Sequence, residues 1–313
     1  MYDVPILYII FNRLDTVKRV FPKICEKQPK QLFIACDGPR LDRNGESEKV
    51  REVRDWVLKN VTWECELKTS FQEMNLGCKR NVISAISWFF SHVEYGLIIE
   101  DDCLPNDSFF DFEKSMLEMY KDDNRIMMVG GCNNQTEKKF GNADYFFWRY
   151  NSTWGWGTWK RAWKLYDEKM TSWRDLKESQ IMNYLFPNEE ERATWIQQFD
   201  TVAFSDFDTW DWQWKYTMLI NNGLCILPNY NFIKNIGTDE NATHTIGGNF
   251  DYPYDELDIM NITHPTVVMP QLDAEIYGYL KTGKKDYRFS VIKSLIKRKP
   301  LSILYKLIYG RNC

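Results

Sequence analysis

Three consecutive carboxylates, Glu100-Asp101-Asp102, follow the apolar run Gly96-Leu97-Ile98-Ile99 and precede Cys103-Leu104-Pro105. Adjacent acids repel one another, and placing them at the end of a buried strand raises the cost of keeping them charged. A divalent cation resolves the conflict, because hard ions such as Mg²⁺ or Mn²⁺ take carboxylate oxygens and then grip phosphates. In open α/β sheets, ligands settle just beyond the carboxyl ends of strands, which is where these acids fall. The pattern points to a cation-dependent site for a phosphate-bearing ligand.

Other residues fall at the same kind of position. One apolar run ends in Phe11-Asn12-Arg13 and a second in Cys36-Asp37-Gly38-Pro39-Arg40. Arginine pairs with phosphate or stacks on a base, and an aspartate can accept a hydrogen bond from a pyrimidine imide. Further on, Asn75-Leu76-Gly77-Cys78-Lys79-Arg80 sets a glycine turn and two cations, Lys79 and Arg80, at a helix start suited to phosphate.

A second constellation is Asp206-Phe207-Asp208-Thr209-Trp210-Asp211-Trp212. Acids alternating with large aromatics describe partly desolvated carboxylates, the setting of a general base, for which Asp208 and Asp211 are both candidates. The competing reading is an acid that caps a helix. In Asn151-Ser152-Thr153-Trp154-Gly155-Trp156-Gly157, glycines let the backbone approach a ligand while indoles form a wall. Trp154, Trp156 and Trp212 are thus candidates for a sugar platform, against the plainer reading of core packing.

The elements that must hold these residues follow from periodicity. Val4 to Phe11 reads as a strand buried on both faces, and Asp15 caps a helix through Val17, Val20, Phe21 and Ile24. Leu32 to Cys36, Cys65 to Phe71, Leu97 to Ile99 and Ile126 to Val129 read as further strands. Helices are expected over Glu48 to Lys59, Lys79 to Phe90 and Ser108 to Tyr120. This alternation predicts an α/β fold whose mostly parallel sheet carries helices on both faces. Beyond Gly130 the pattern loosens into aromatic segments with short helices near 160–166 and 189–199.

At 313 residues there is ample material for a core, and 13 Trp favour a carbohydrate ligand over a plain polar one. The eight Cys form no CxxC pair, which fits a reducing compartment. No signal peptide or membrane span is expected from the first residues. The last segment, 284–313, carries nine cations against Asp286 alone. From totals of 40 and 44, that leaves 31 cations and 43 acids in the preceding chain, a balance unlike that of a nucleic-acid-binding enzyme. Phe289, Val291, Ile292, Leu295 and Ile296, and Leu301, Ile303, Leu304, Leu307 and Ile308 beyond Pro300, make the tail amphipathic. It suits either an acidic protein face or an anionic membrane.

Ile98-Ile99-Glu100-Asp101-Asp102, together with Asn12-Arg13, Asp37-Gly38-Pro39 and Asn75-Leu76-Gly77, resembles the GT-A fold of nucleotide-sugar glycosyltransferases. Its acidic motif is similar to the Glu-Asp-Asp form of N-acetylglucosaminyltransferase I and its bacterial relatives, and the likeness spans about residues 3 to 245. The resemblance implies a nucleotide-sugar half over 1–130, an acceptor and catalytic-base half over 131–283, and a tail over 284–313. It implies that Asp102 holds Mn²⁺ or Mg²⁺, with Asp101 near the ribose and Glu100 near the donor sugar or base. Arg13 and Asp37 would bracket the base, Asp211 of the Asp211-Trp212 pair would act as base, and His244 would complete the metal or diphosphate shell.

The activity implied is inverting transfer of a hexose or N-acetylhexosamine such as GlcNAc. The expected donor is a UDP-sugar, and the acceptor a saccharide such as a polyprenyl-linked glycan in the synthesis of bacterial surface polysaccharides. The setting would be the cytoplasm or the inner face of its membrane. Rivals are a retaining transferase on the same fold, a sugar nucleotidylyltransferase and a sugar-binding module without chemistry. A nucleotidylyltransferase usually carries a glycine-rich basic loop after the first strand, and Phe11-Asn12-Arg13-Leu14 is not one.

Overall fold

The computed structural model describes residues 1–135, 137–237 and 254–281. Its chain runs β1 (Ile6–Ile10), α1 (Leu14–Lys27), β2 (Gln31–Cys36), α2 (Glu46–Asn60), β3 (Glu66–Phe71), α3 (Cys78–His92) and β4 (Tyr95–Glu100). Next come β5 (Cys103–Pro105), α4 (Asp107–Met119), β6 (Ile126–Gly130), β7 (Tyr145–Trp148), β8 (Trp156–Trp159) and α5 (Lys160–Trp163). Helices α6 (Trp173–Glu178), α7 (Ile181–Leu185) and α8 (Glu189–Phe204) precede α9 (Asp211–Ile220), β9 (Leu224–Pro228), β10 (Ile233–Asn235) and α10 (Leu272–Lys281).

Eight strands form one sheet in the order β3-β2-β1-β4-β8-β6-β9-β7, and β5 pairs with β10 apart from it. The β3-β2-β1-β4 half is parallel throughout, as is β6 with β9. Strand β8 is antiparallel to both β4 and β6, and β7 is antiparallel to β9. The mostly parallel α/β sheet expected from the alternation is present, with antiparallel insertions that periodicity missed. Strands β7 and β8 have only four residues each, too few to establish a two-residue period.

Side-chain alternation along β1 builds two cores. Ile6, Tyr8 and Ile10 join Val17, Val20, Phe21 and Ile24 of α1, Val53 and Val57 of α2, and Phe109, Phe112 and Met116 of α4. Leu7 and Ile9 face the other way, onto Val82, Ile86 and Phe89 of α3 and Trp214 and Met218 of α9. Each fully buried side chain of this size stabilises the fold by roughly 1.5–3 kcal/mol, so the central sheet is rigid support for its own edge.

The chain divides into two compact units. The first comprises Met1–Glu168 with Asp208–Gln271 and contains the whole sheet. The second comprises Lys169–Phe207 with the chain from Leu272, described to residue 281. Within this second unit, Trp173 Nε1 and Lys177 Nζ both donate to Asp200 Oδ1 at 2.9 Å, and Trp195 stacks between Phe186 and Phe199. Among the described residues no helix is long and apolar enough to cross a membrane.

Candidate functional site

Strand register sets the site. Ile9 stands beside Glu100 and Ile10 beside Cys36, so β1, β2 and β4 release Arg13, Asp37 and the acidic triple at one sheet edge. A cleft of about 710 Å³ opens there. Of the residues expected at the site, Arg13, Asp37, Glu100, Asp101 and Asp208 line it.

The triple is sorted by depth. Glu100 is partly buried and faces the cleft, Asp101 is buried, and Asp102 keeps 16% of its side chain exposed. Arg13 Nη2 pairs with Asp101 Oδ1 and reaches Asp102 Oδ2 at 3.1 Å. Asp101 also accepts from Phe11 N at 3.3 Å. Burial, reinforced by the neighbouring acids, raises the carboxyls of both Glu100 and Asp101 above their ordinary range; at Asp101 the Arg13 guanidinium opposes it. Arg13 was expected at a base, but here it is the counter-charge of two strand-end acids.

Cover for Asp102 comes from elsewhere in the chain. Asn235 pairs with Cys103 in the β5–β10 ladder, and Ile236 N donates to Asp102 O at 2.8 Å. This lays Gly237 over the acid, where a Cβ would strike Asp102 Oδ2 and Arg13 Nη1. His244, expected at the metal, lies outside the described residues. No group of three His, Cys, Asp or Glu converges as a ready cation cage among the described residues. The donor set still fits Mn²⁺ or Mg²⁺ of the substrate-bridging kind, which use one or two carboxylates together with phosphate oxygens. Asp102, whose side chain keeps more exposure than that of Asp101, is the carboxylate that would hold it.

Asp37 departs from expectation. Its Oδ1 accepts from Gly38 N and Leu76 N, both at 2.8 Å, and its Oδ2 from Asn75 Nδ2 at 2.9 Å and Gly77 N at 3.2 Å. Two donors per oxygen fill the acceptor capacity of a carboxylate, so Asp37 organises the 75–77 loop rather than reading a base imide. Burial pushes its carboxyl up, and the backbone N–H groups of Leu76, Gly38 and Gly77 pull the other way.

The start of α3 is also taken. Gly77, at φ +82°, turns the chain into the helix, and Asp208 accepts from Cys78 N at 3.0 Å and Lys79 N at 2.9 Å. Asp208, the rival base, thereby serves as the cap that the plainer reading describes, across 130 residues of sequence. Lys79 Nζ turns to Glu168 at 3.8 Å and Arg80 is exposed, so neither lines the cleft. The phosphate role expected of these two cations is not supported by their placement, because the carboxylate of Asp208 already satisfies the free amides they would adjoin.

The cleft instead draws cations from the β2–α2 connection and the first turn of α2: Arg40, Arg43 and Lys49 line it beside Asn44. Arg40 lies over the Phe11 ring, 5.5 Å from its centroid, and is held by the buried Glu46, which also accepts from Asn12 Nδ2 at 2.9 Å. That pairing holds the Glu46 carboxyl below its usual range. Sequence reading reached Arg40 at the second strand end but passed over Arg43 and Lys49, which are scattered among Asp42, Glu46 and Glu48 and so give no basic run.

Asp211 opens α9, half-buried, with Oδ1 accepting from the Thr209 hydroxyl. Asn151 Nδ2 donates to its backbone carbonyl at 2.8 Å. Burial, then the charges of Glu100, Asp208, Asp211 and Asp102, raise the Cys78 thiol far above its ordinary value. One half-buried thiol thus feels both constellations that the sequence separates by over a hundred residues.

The aromatic platform is corrected in part. Trp156 is fully buried, stacked on Trp210 with centroids 5.7 Å apart, and cannot offer a face to a sugar. Its position in the central strand β8 makes it core. Trp154 is half-buried against the core, and Trp212 is half-buried with Lys215 Nζ 4.2 Å above its ring. Neither lines the 710 Å³ cleft.

Fold and site together define an α/β protein with a cleft of mixed charge at the carboxyl edge of its sheet. No protein-family model matches the chain, and no curated protein does. Among solved structures, the mannosyltransferase PcManGT from Pyrobaculum calidifontis, in complex with GDP-Man and Mn²⁺, aligns over 53% of this chain and 46% of its own, with 13% identity and a TM-score of 0.33. S. aureus TarS 1–349 aligns over 73% of this chain and 59% of its own, at 9% identity and a TM-score of 0.39. HddC from Yersinia pseudotuberculosis aligns over 51% and 78%, at 10% identity and a TM-score of 0.30. The chain spans less than two thirds of the first two. At TM-scores of 0.39 and below, none of these likenesses carries the functional reading.

Proposed function

We propose that this chain is a glycosyltransferase that moves a sugar from a nucleoside diphosphate donor to a saccharide hydroxyl with inversion. The observation that supports it is the strand-end cleft, large enough for a nucleotide, that Arg13, Glu100 and Asp101 line, with Asp102 held against Arg13 beside it. Arg40, Arg43 and Lys49 supply positive charge along its wall for an anionic ligand. Asp102 would hold a Mn²⁺ or Mg²⁺ ion, which when bound would supply positive charge to the departing diphosphate.

The step attributed to the chain is a proton transfer. Thr209 fixes Asp211 Oδ1, which orients Oδ2 to take the acceptor's hydroxyl proton. The acceptor oxygen forms its bond to the anomeric carbon as the bond from that carbon to the diphosphate oxygen breaks, and the electron pair leaves with the diphosphate. Glu100, at the cleft wall, is placed to hydrogen-bond a sugar hydroxyl.

A thermal-shift panel of UDP-, dTDP- and GDP-sugars with and without Mn²⁺ tests the donor site. The expected outcome is a selective, Mn²⁺-dependent rise in Tm for one base. No shift for any donor rejects this reading. Asp211→Asn should reduce turnover by at least 10²-fold while leaving that donor shift in place. Wild-type turnover in the variant moves the base elsewhere, and a product of retained configuration replaces inversion with the retaining alternative.

A further inference from the structure

Arg13 occupies a position with two faces. It precedes α1, where its carbonyl accepts from Thr16 Oγ1 at 3.0 Å and Val17 N at 3.2 Å, so the backbone is fixed. Its guanidinium bridges Asp101 and Asp102, the latter being the carboxylate placed to hold a divalent cation. On the other side the same residue lines the nucleotide-sized cleft and a smaller hollow of about 240 Å³ that continues toward Asp15, Lys49 and Glu52.

The bridge is enclosed on its acidic side. Asp101 is 4% exposed and anchored by Phe11 N, while the backbone at Gly237 leaves no room for a side chain against Asp102 or Arg13. On the cleft side the guanidinium, 19% exposed, faces open space. A positive charge therefore stands against Asp102 where a divalent cation's charge would act, with a route to the cleft where an anionic ligand would lie.

We propose that Arg13 is an exchangeable counter-ion: it neutralises Asp101 and Asp102 in the ligand-free protein, passes to the donor's diphosphate, and thereby couples nucleotide binding to cation binding at Asp102. This rests on the donor-site reading above. Two like charges at one carboxylate weaken each other, so Arg13 lowers the affinity of Asp102 for a cation. A diphosphate offers the guanidinium an alternative bidentate partner, which frees Asp102. The cost of parting Arg13 from the acids falls once on the pair of ligands, and linkage makes the effect reciprocal: each ligand tightens the other.

The test is calorimetric titration of Mn²⁺ into wild type, Arg13→Gln and Arg13→Lys, first without nucleotide and then with UDP and with GDP. Arg13→Gln should bind Mn²⁺ alone about tenfold more tightly than wild type, the scale of losing a charged hydrogen bond to Asp102. Arg13→Lys keeps the charge without the fork, guards against a folding defect, and should fall between them. The factor by which UDP or GDP tightens Mn²⁺ should shrink about tenfold in Arg13→Gln. Equal Mn²⁺ affinity in wild type and Arg13→Gln, with a nucleotide still tightening it, overturns the exchange and leaves the donor site standing. Tighter Mn²⁺ in Arg13→Gln with no response to either nucleotide in any of the three proteins rejects the donor site and the coupling together.

Discussion

At the scale of single residues, the most informative acid outside the cleft is Glu113 on α4. It is fully buried, and neither carboxyl oxygen finds a hydrogen-bond partner among the described residues. Burial alone pushes its carboxyl well above the ordinary value, so the native protein keeps its proton at neutral pH. The unfolded chain releases that proton near the usual glutamate range of about 4.3. Above that range the unfolded state binds fewer protons than the native state, and stability contributed by this site falls as pH rises. Replacing the carboxyl by an apolar group of similar length removes the penalty. Glu113→Met should raise stability by about 1–3 kcal/mol at pH 7, and by less at pH 5. Urea unfolding at the two pH values measures both; a variant less stable than wild type at pH 7 would show that Glu113 has a partner that justifies its burial.

At the scale of elements, the site depends on loops pinned by side-chain oxygens rather than on the strands alone. Asp37 holds 75–77, and Asp208 caps α3 and sits one residue from Thr209, which orients Asp211. Asp208→Ala should cost about 1 kcal/mol of stability by uncapping the helix, and lower turnover by loosening the 208–211 connection. Asp208→Asn keeps one acceptor oxygen and should recover part of both losses. Chemical denaturation and initial rates separate the two effects; unchanged turnover in Asp208→Ala would detach the cap from the catalytic loop. These ties also explain what the sequence made legible. Strand ends β1, β2 and β4 could be read from apolar runs stopping at Arg13, Asp37 and Glu100, because a parallel strand buried on both faces leaves a continuous signal. That Asp208 would meet Cys78 across 130 residues, or Gly237 lie over Asp102, could not be read, because such contacts depend on register between distant elements. Trp156 was misplaced for a related reason: WGTW looks alike as a ligand wall and as the four-residue core strand that separates β4 from β6.

At the scale of the whole molecule, charge is divided along the sequence in a way the cleft does not require. The 284–313 segment, with nine cations and one acid, follows 283 residues that carry 31 cations and 43 acids. Its amphipathic spacing combines an apolar stripe with lysines and arginines, and each cation near an anionic lipid surface contributes about 1 kcal/mol. If the acceptor is a lipid-linked saccharide, the segment would hold the enzyme where that acceptor lies. Truncation after Lys284 should leave donor binding and the Mn²⁺ response unchanged and abolish sedimentation with vesicles rich in anionic lipid. Raising salt to about 0.5 M should release the full-length chain from the same vesicles, since screening shortens the reach of the attraction. Equal sedimentation of the truncated and full-length chains would assign the basic segment to the acidic body of the protein instead of the membrane.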